Sequence, residues 1–394
     1  MVAMYDVVVA GGGPAGLSAA RAAAEAGARV VLLERDSAFG IPTRTSGGSF
    51  IADLRRLGIP EHLYNPITEV RFLGPEREAV IPFSHPEVCI LDVRALYQWL
   101  AERAASAGVD LHLRATVMRA ASAGDGVAVG VRGPGGEWRT AGRYAVDATG
   151  TAAVVATAMG MHPPFARRAV GAEVDMSAPA FPTSTCWLIV GEQIAPAGYA
   201  WAFPYRQGRV RLGVGVMRPD SDADPRELLD RVRRLPALGE ALEGAQPLEV
   251  HAGLIPVEPL RTSIVRDRVV IIGDAASHAS TLVGEGIRYA IAAGEACGAA
   301  LGEAVRTGDD APLRHFERSW RDRHHRDFRV AFRINRALAS FDDARWDRSV
   351  GALASAPRWF VVAALRTDFR PRHFARLAVA HPRLASRFLR AAVS

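Results

Sequence analysis

The sequence predicts an α/β protein with a doubly wound parallel sheet, an inserted antiparallel sheet and a C-terminal helical region. Three observations lead to this class. Residues 5–34 are typical of a strand, a glycine-rich turn, a helix and a second strand, and two later apolar strands, 144–149 and 268–272, can extend the same sheet. Residues 163–261 are rich in short strands bounded by proline and glycine. Residues 311–394 are helical in pattern and rich in arginine.

Composition limits the class of protein further. The chain has 394 residues, 49% hydrophobic and 23% charged, which is enough for more than one domain with a large core. No apolar run approaches the roughly 18 residues of a membrane-spanning helix. No basic and apolar leader precedes the first strand, so we expect a cytoplasmic protein. The three cysteines are widely spaced, which suits a reducing compartment and predicts no metal site.

The basic residues are all arginine, because the chain has no lysine. This excludes Schiff-base chemistry and a P-loop lysine. Residues 356–394 contain eight arginines and one acid (Asp368). Between them stand the aromatic residues Trp359, Phe360, Phe369, Phe374 and Phe388. The pattern predicts either a helical tail with a solvated basic face or a peripheral contact with an anionic membrane. No nucleic acid is expected, since nothing resembles a recognition module.

The turn after the first strand has the glycine spacing of a dinucleotide-binding site. Gly11 permits the tight turn, Gly13 lets the backbone approach a pyrophosphate, and Gly16 lets the next helix pack against the strand. The free N–H groups at the start of that helix favour the pyrophosphate. Glu34 ends the second strand, where its carboxylate can accept from ribose hydroxyls and repel a 2′-phosphate, so NADP is not expected here.

Two distant segments favour FAD over NAD. Residues 144–150 form an apolar strand that ends in Asp147 and a turn, close to the same nucleotide. Residues 268–276 form another such strand, after which Asp274 is suited to a ribityl hydroxyl. The glycines of 283–287 would let backbone N–H groups approach the flavin ring.

Residues 11–34, 147–150 and 273–287 resemble the three FAD fingerprints of the flavoprotein group around p-hydroxybenzoate hydroxylase. Within that group the chain most resembles the geranylgeranyl reductase family, over about residues 5–335. The diagnostic stretch runs from Tyr199-Ala-Trp-Ala-Phe-Pro to Gly213-Val-Gly, similar to the family pattern Tyr-x-Trp-x-Phe-Pro followed by Gly-x-Gly. The resemblance implies bound FAD, a tunnel lined by aromatic residues, and reduction of isoprenoid double bonds.

The residues of 199–215 by themselves leave two interpretations open. Tyr199, Trp201 and Phe203 alternate on one face of a strand closed by Pro204, and 209–216 fit its hairpin partner. Such a face can be sheet core or pocket wall, and the family spacing favours the pocket wall.

Two segments depart from the family pattern. A cysteine that the family usually carries near the flavin is replaced in 44–48, where Thr45 or Ser46 stands instead. The family's Asn-Pro before the flavin loop is replaced by Ser280 and Thr281. Changed residues beside the flavin predict a changed substrate or reaction.

The candidate residues form two sets. The cofactor set is Gly11, Gly13, Pro14, Ala15, Gly16, Glu34, Arg35, Arg44, Thr45, Ser46, Gly47, Arg94, Val117, Asp147, Gly150, Gly273, Asp274, Gly284, Gly286 and Ile287. The catalytic and tunnel set is Ser46, Tyr199, Trp201, Phe203, Tyr205 and His278. Within it, Ser46, Tyr199, Tyr205 and His278 are the candidate proton donors. Arg94 resembles an arginine that contacts FAD in this group, although it could instead pair with Asp92 at the surface.

These segments predict three units. A discontinuous FAD-binding, Rossmann-like domain comprises 1–70, 90–162 and 262–310. A substrate and catalytic β-sheet domain comprises 71–89 and 163–261. Residues 311–394 form the C-terminal helical region.

The leading functional hypothesis is an FAD-dependent reductase of double bonds in an isoprenoid or related apolar small molecule. The alternative is an FAD-dependent monooxygenase, a hydroxylase or epoxidase of a secondary metabolite; a flavin-binding protein without turnover is a third. A halogenase is excluded because it needs a lysine. The turn Asp147-Ala-Thr-Gly favours the reductase over the monooxygenase version. A second dinucleotide fold is not evident, so NAD(P)H or a ferredoxin would dock transiently as electron donor. The oligomeric state stays open.

Overall fold

The fold is that of a computed structural model, which describes residues 4–382 and 385–386; Phe388, named above, lies outside them. The strands in chain order are β1 (Met4–Ala10), β2 (Val30–Leu33), β3 (Gly48–Phe50), β4 (Tyr64–Ile67), β5 (Glu69–Leu73), β6 (Glu78–Pro82), β7 (Val88–Leu91), β8 (Asp110–His112), β9 (Thr116–Ala123), β10 (Gly126–Gly133), β11 (Gly136–Asp147), β12 (Arg168–Ser177), β13 (Thr185–Ile189), β14 (Gly198–Arg206), β15 (Arg209–Arg218), β16 (Gln246–Pro256), β17 (Val265–Arg266) and β18 (Val269–Ile271). The helices are α1 (Pro14–Glu25), α2 (Ile51–Arg56), α3 (Val93–Ser106), α4 (Val154–Ala158), α5 (Pro225–Val232), α6 (Ile287–Thr307), α7 (Ala311–Leu338), α8 (Asp343–Ala354), α9 (Arg358–Leu365) and α10 (Pro371–Ala380).

The first sheet has β18, β11, β1, β2 and β8 side by side and parallel. Its strands are buried on both faces, as continuous apolar runs such as Val7–Val9 require. The antiparallel pair β9 and β10 extends from β11. Because neighbouring parallel strands end at one edge, the turns after β1, β2, β11 and β18 meet there.

Helix α1 lies against α6 through a row of glycines in α6. A Cβ on Gly294 would lie 2.4 Å from the carbonyl oxygen of Ala15, and one on Gly298 would lie 2.3 Å from that of Ala19. Only glycine allows the two backbones to approach so closely. This contact fixes the helix that follows the glycine-rich turn.

The second sheet has seven strands in the order β16, β12, β15, β14, β13, β5 and β6. All neighbours are antiparallel except β13 and β5. Together with the parallel sheet and the helices after α6, it confirms the predicted α/β class with an added antiparallel sheet. The boundaries of the three predicted units stay predictions.

The aromatic side chains of the arginine-rich C-terminal segment turn inwards. Phe360 and Phe369 are buried, and Trp359 and Phe374 are half-buried against neighbouring helices. The outward-facing side chains on α10 include Arg372, Arg376 and Val379. None of the helices within the described part of the chain is long and apolar enough to cross a membrane.

Candidate functional site

A cavity of about 500 Å³ lies at the edge where the parallel strands end. The glycine-rich turn between β1 and α1 forms one wall. Gly11 has a φ of +103°, and a Cβ on it would lie 2.2 Å from the carbonyl oxygen of Ala148, so the turn packs directly on the segment after β11. Gly16 approaches Gly11 as closely, since its Cβ would lie 2.0 Å from the Gly11 oxygen. We call this space the cofactor cavity.

Gly13 faces the cofactor cavity with nothing within 4 Å of a Cβ placed on it. It is also the residue before helix α1, which has no side-chain cap. The first N–H groups of α1 are therefore available to a ligand, and the helix dipole favours an anionic one. A pyrophosphate fits this position in charge and in the space it needs.

Glu34 links the end of β2 to the glycine-rich turn. One carboxylate oxygen accepts from the N–H of Gly12 at 2.5 Å, and the other accepts from the N–H of Asp36 at 2.8 Å. Asp36 in turn pairs with Arg44 at 2.5 Å, which brings the 44–48 segment to the same cavity. Glu34 thus lies in the wall of the cofactor cavity, where the sequence predicts that its carboxylate contacts a ribose.

Three further cavities lie on the other side of the 44–48 segment. The largest, about 460 Å³, is enclosed by the second sheet and helices α7, α8 and α9; its lining includes Leu188, Val190, Leu338 and Leu353. We call it the apolar cavity. Two small cavities, the inner cavity of about 50 Å³ and the side cavity of about 70 Å³, lie next to it. Tyr199 contributes to the walls of all three.

The inner cavity owes its space to glycines on the second sheet. Gly253, Gly171 and Gly215 are paired across β16, β12 and β15, and the row ends at Tyr199 on β14. In the next row the ring of Trp201 covers Gly213, where a Cβ would lie 2.4 Å from the indole. A side chain at these glycines would fill the cavity or displace the indole.

Four buried ionisable side chains lie on the same face of the second sheet: Glu173, Asp175, Arg211 and His251. The guanidinium of Arg211 donates to both carboxylate oxygens of Asp175, at 2.7 and 3.0 Å. It also donates to the carbonyl oxygens of Thr45 and Ser46, at 3.2 and 3.1 Å. Arg211 therefore ties the 44–48 segment to the sheet.

The cluster shifts the pKa values of its two acids in opposite directions. Burial alone would raise the pKa of Asp175, but His251 and Arg211 lower it to about 2. Burial raises the pKa of Glu173, and Arg211, at 3.6 Å, only partly opposes the effect. Asp175 is thus the fixed counter-ion of Arg211, and Glu173 is the acid that retains its proton more readily.

Comparison with known families decides what this arrangement is. The family model described as FAD dependent oxidoreductase matches residues 6–168, and the one described as geranylgeranyl reductase catalytic domain matches residues 169–254. Over residues 6–254 the chain is similar to an FAD-dependent oxidoreductase with a geranylgeranyl reductase catalytic domain. It is accordingly an FAD-dependent oxidoreductase, and the resemblance inferred from the sequence is confirmed.

Relatives match along most of the chain. Digeranylgeranylglycerophospholipid reductase 2 of Methanopyrus kandleri is 28% identical, covering 89% of this chain and 90% of its own. The protein of the same name from Methanothermobacter thermautotrophicus is 29% identical, covering 89% and 91%. A geranylgeranyl bacteriochlorophyll reductase-like protein from Thermoplasma acidophilum shares the fold, with a TM-score of 0.85, 21% identity and coverage of 98% and 99%. The flavin-dependent brominase Bmp2 has the same fold at a TM-score of 0.72 and 18% identity, covering 99% and 98%.

Most of the predicted cofactor residues line the cofactor cavity. They are Gly11, Gly13, Pro14, Ala15, Glu34, Arg35, Arg44, Thr45, Val117, Gly150, Gly273, Asp274, Gly284, Gly286 and Ile287. Gly16 packs behind the turn, Ser46 lines the inner and side cavities, and Gly47 lines the side cavity. Phe39 and Tyr97 also line the cofactor cavity, and sequence reasoning missed them because neither belongs to a motif.

Two predicted cofactor residues have other partners in the structure. The carboxylate of Asp147 is fully buried and accepts from the backbone and hydroxyl of Thr149 and from the N–H of Ala156, so it holds the turn. Arg94 pairs with Glu249 of β16 at 2.6 Å. The structure thus gives Arg94 the partner Glu249 in place of Asp92, because the register of β16 could not be read from sequence, and its contact with FAD stays a prediction.

The catalytic and tunnel set divides in the same way. Ser46 and Trp201 line the inner cavity, and Phe203 lines the side cavity. Tyr205 lies outside the cavities described above, with its ring 4.9 Å from the guanidinium carbon of Arg211. His278 is also outside them: its ring packs on Trp320, its Nδ1 accepts from the N–H of Gly273, and burial lowers its pKa to about 3. A neutral, enclosed imidazole is a poor proton donor, and Tyr205 lines none of these cavities, so the proton-donor role of either residue stays a prediction that these positions do not support.

Asp274 faces the cofactor cavity, and burial raises its pKa to about 6. If a ribityl hydroxyl of FAD donates a hydrogen bond to Asp274, it stabilises the ionised carboxylate, so FAD binding should lower the pKa of Asp274. FAD affinity should then rise between about pH 5 and about pH 7, by at most about tenfold per pH unit, and level off above. Flavin-fluorescence titrations measure it. Asp274→Asn should lose the rise, while exposed Asp125→Asn should keep it; an unchanged slope in Asp274→Asn contradicts the assignment.

Proposed function

We propose that this protein reduces carbon–carbon double bonds in the polyprenyl chain of an apolar metabolite. The observation that carries the proposal is the position of the apolar cavity. It adjoins the inner and side cavities at Tyr199, and these two in turn adjoin the cofactor cavity. A volume of about 460 Å³ is within the range of ligand pockets, roughly 300–1,000 Å³. The relatives named digeranylgeranylglycerophospholipid reductase support the same substrate class.

The residues of the chain would divide the work as follows. Gly13, Glu34 and Asp274 would hold FAD, which when reduced supplies a hydride. The leucines and valines of the apolar cavity would bind the prenyl chain by burying it from water. The hydroxyl of Tyr199 donates a hydrogen bond to the carbonyl oxygen of Val283 at 2.5 Å, which holds the 283–287 loop against the sheet. Trp201 and Phe203 would enclose the space between the prenyl chain and FAD.

A single-turnover experiment tests the proposal. The FAD-loaded protein is reduced without oxygen and mixed with geranylgeraniol, farnesol or geraniol. We expect the flavin to be reoxidised in the absence of oxygen, with a product that has gained two hydrogens. No reoxidation by any prenyl alcohol would contradict the proposal. Reoxidation only with oxygen, and an oxygen atom in the product, would select the monooxygenase instead.

We further propose that the electron donor, NAD(P)H or a ferredoxin, docks transiently. The cofactor cavity lies at the glycine-rich turn between β1 and α1. Among the described residues there is no second strand–turn–helix of this kind, so a second dinucleotide has no comparable binding site. Anaerobic bleaching of bound FAD by NADH, NADPH or reduced ferredoxin identifies the donor. Failure of all of these to bleach FAD would overturn this proposal.

We also propose a peripheral contact between the C-terminal helices and anionic lipid. Arg358, Arg372 and Arg376 are exposed on α9 and α10, and Val379 is 87% exposed beside them. Helices α8 and α9 line the apolar cavity, so the contact would lie near the substrate. Sedimentation with phosphatidylglycerol vesicles should exceed that with phosphatidylcholine vesicles and fall with salt. Equal binding to both would contradict the contact.

A further inference from the structure

The inner cavity is surrounded by buried polar atoms without partners. The Oε2 of Glu173, the Nε1 of Trp201 and the Oγ1 of Thr281 have no hydrogen-bond partner among the described residues. Buried polar atoms are almost always paired, so three of them around one small space indicate that a polar group or water can be held there. A cavity of about 50 Å³ is large enough for water, which needs roughly 10–15 Å³ on this measure.

The inner cavity stands between the two larger ones. It shares Thr45, Gly253 and Gly284 with the cofactor cavity, and Tyr199 and Met217 with the apolar cavity. Among the described residues, none lines both large cavities directly. A group in the inner cavity is therefore within reach of the place where a prenyl chain would meet the cofactor.

Both departures from the family pattern face this space. Thr45 and Ser46 stand where the family usually has a cysteine, and Thr281 stands where it has part of Asn-Pro; all three line the inner cavity. Any acid that the family cysteine could supply is absent from this position. The protein groups on this wall that could supply a proton are then Ser46, Glu173 and Tyr199.

Glu173 is the acid placed to supply it. Its carboxyl is 4% exposed and lies 3.6 Å from Nε of Arg211, whose donors are already directed to Asp175 and to the Thr45 and Ser46 carbonyls. The charged and titratable groups that act on it are Arg211, Asp175, His251 on β16 and Tyr199 on β14. Two carboxyls share one fixed cation, and Arg211 is closer to Asp175 than to Glu173, at 2.7 against 3.6 Å, so Glu173 is the carboxyl that holds a proton more readily.

The other candidate donors are weaker acids. Tyr199 is buried, which raises the pKa of its phenol, and its hydroxyl proton is already donated to Val283. Ser46 has an alcohol, which does not ionise near neutral pH and is therefore a weaker acid than a carboxyl. Glu173 is thus the strongest acid on the wall of the inner cavity.

We propose that Glu173 is the proton donor in the double-bond reduction, acting through the inner cavity. The inference rests on the proposed function. As the alkene π bond breaks, one carbon forms a C–H bond with the hydride supplied by reduced FAD, and the other forms a C–H bond with the proton of Glu173. The alkene is reduced, the flavin is oxidised, and Glu173 is left as a carboxylate that regains a proton from solvent.

Glu173→Gln tests the proposal, because it keeps the shape and removes the acid. FAD binding and anaerobic reduction of the flavin should stay unchanged, since the residue contacts neither the 11–16 turn nor Asp274. Reoxidation by geranylgeraniol should slow by about 100- to 10,000-fold. The wild-type rate should fall by about tenfold per pH unit once Glu173 ionises, and the variant should lose this slope. Exposed Glu192→Gln is the matched control and should behave as wild type.

Infrared spectroscopy gives a readout that does not depend on turnover. The wild-type protein should show the carbonyl band of a protonated carboxyl near neutral pH, lost in Glu173→Gln and kept but shifted in the shorter Glu173→Asp. A wild type without this band, or a Glu173→Gln protein that turns over at the wild-type rate, overturns the proposal. If Glu173→Gln fails to fold, the band is assigned by its shift in Glu173→Asp, because Asp147 and Asp274, whose pKa values are also raised, are unchanged there; a band that does not shift overturns the proposal. If wild type retains the band but reduces no prenyl alcohol, the proposed function fails and Glu173 is no donor of this reaction.

Discussion

Replacing Arg211 by methionine should lower the free energy of unfolding by about 3–5 kcal/mol, as removal of one partner of a buried ion pair does. Arg211 is 2% exposed and bonds both oxygens of Asp175. Methionine fills similar space but leaves two carboxyls buried without their cation and frees the carbonyls of Thr45 and Ser46. Urea unfolding measures the loss.

A matched variant separates this effect from the loss of any arginine. Arg132 pairs with Glu137 at 3.2 Å on the surface strand β10, where the side chain is 59% exposed. Arg132→Met should change the free energy of unfolding by no more than about 0.5 kcal/mol. Equal losses in the two variants would show that the Arg211 cluster does not stabilise the fold.

The Arg211 effect has a pH dependence with a definite sign. The folded pKa of Asp175, about 2, lies below its ordinary value of 3.8, so the ion pair stabilises the protein fully above about pH 4. The stabilisation is lost as pH falls through the folded pKa. The difference between wild type and Arg211→Met should therefore shrink between about pH 4 and about pH 2.

Gly13→Val should weaken FAD binding by at least about 100-fold, or about 2.7 kcal/mol. A Cβ on Gly13 meets nothing within 4 Å in the protein, so the fold should tolerate the change at a cost of about 1 kcal/mol for a poorer residue before α1. The valine would instead occupy the space through which a pyrophosphate reaches the N–H groups of α1. Isothermal titration with FAD measures the affinity, and thermal unfolding of the FAD-free protein measures the fold.

Two other glycines complete the comparison. Gly135 is exposed in a turn and is equally open, so Gly135→Val should bind FAD normally. Gly11→Val should impair folding itself, because of the positive φ and the clash with Ala148. If Gly13→Val binds FAD with wild-type affinity, the pyrophosphate does not bind beside Gly13.

The two candidate proton donors that lie outside the cavities show where sequence reasoning reached its limit. Tyr205 continues the alternation of Tyr199, Trp201 and Phe203, yet a register irregularity between Pro204 and Arg206 intervenes and its ring packs on Arg211. His278 follows a cofactor segment in sequence, but the chain turns at Ser277, with a φ of +60°, and carries the imidazole into the core beside Trp320. Local spacing does not report such turns.

Glu173 and Arg211 show the converse case. Glu173 and Asp175 are two apart on one strand and Arg211 is in the middle of another, so charged residues on strand faces were visible as an anomaly in the sequence. Their meeting depends on β12 lying between β15 and β16 in one register. Only that pairing shows that one cation serves two carboxyls.

The sequence by itself determined the fold class, the FAD-dependent family and most of the cofactor wall, because the glycine-rich turn, Glu34 and the 273–287 segment act through short-range backbone geometry. The alternation of Tyr199, Trp201 and Phe203 was likewise local. The tertiary structure decided what lies between cofactor and apolar cavity: the glycine rows, the Arg211 cluster and the inner cavity. These depend on strand register between segments far apart in the chain, and a shift of one residue would turn every one of these side chains to the other face of the sheet.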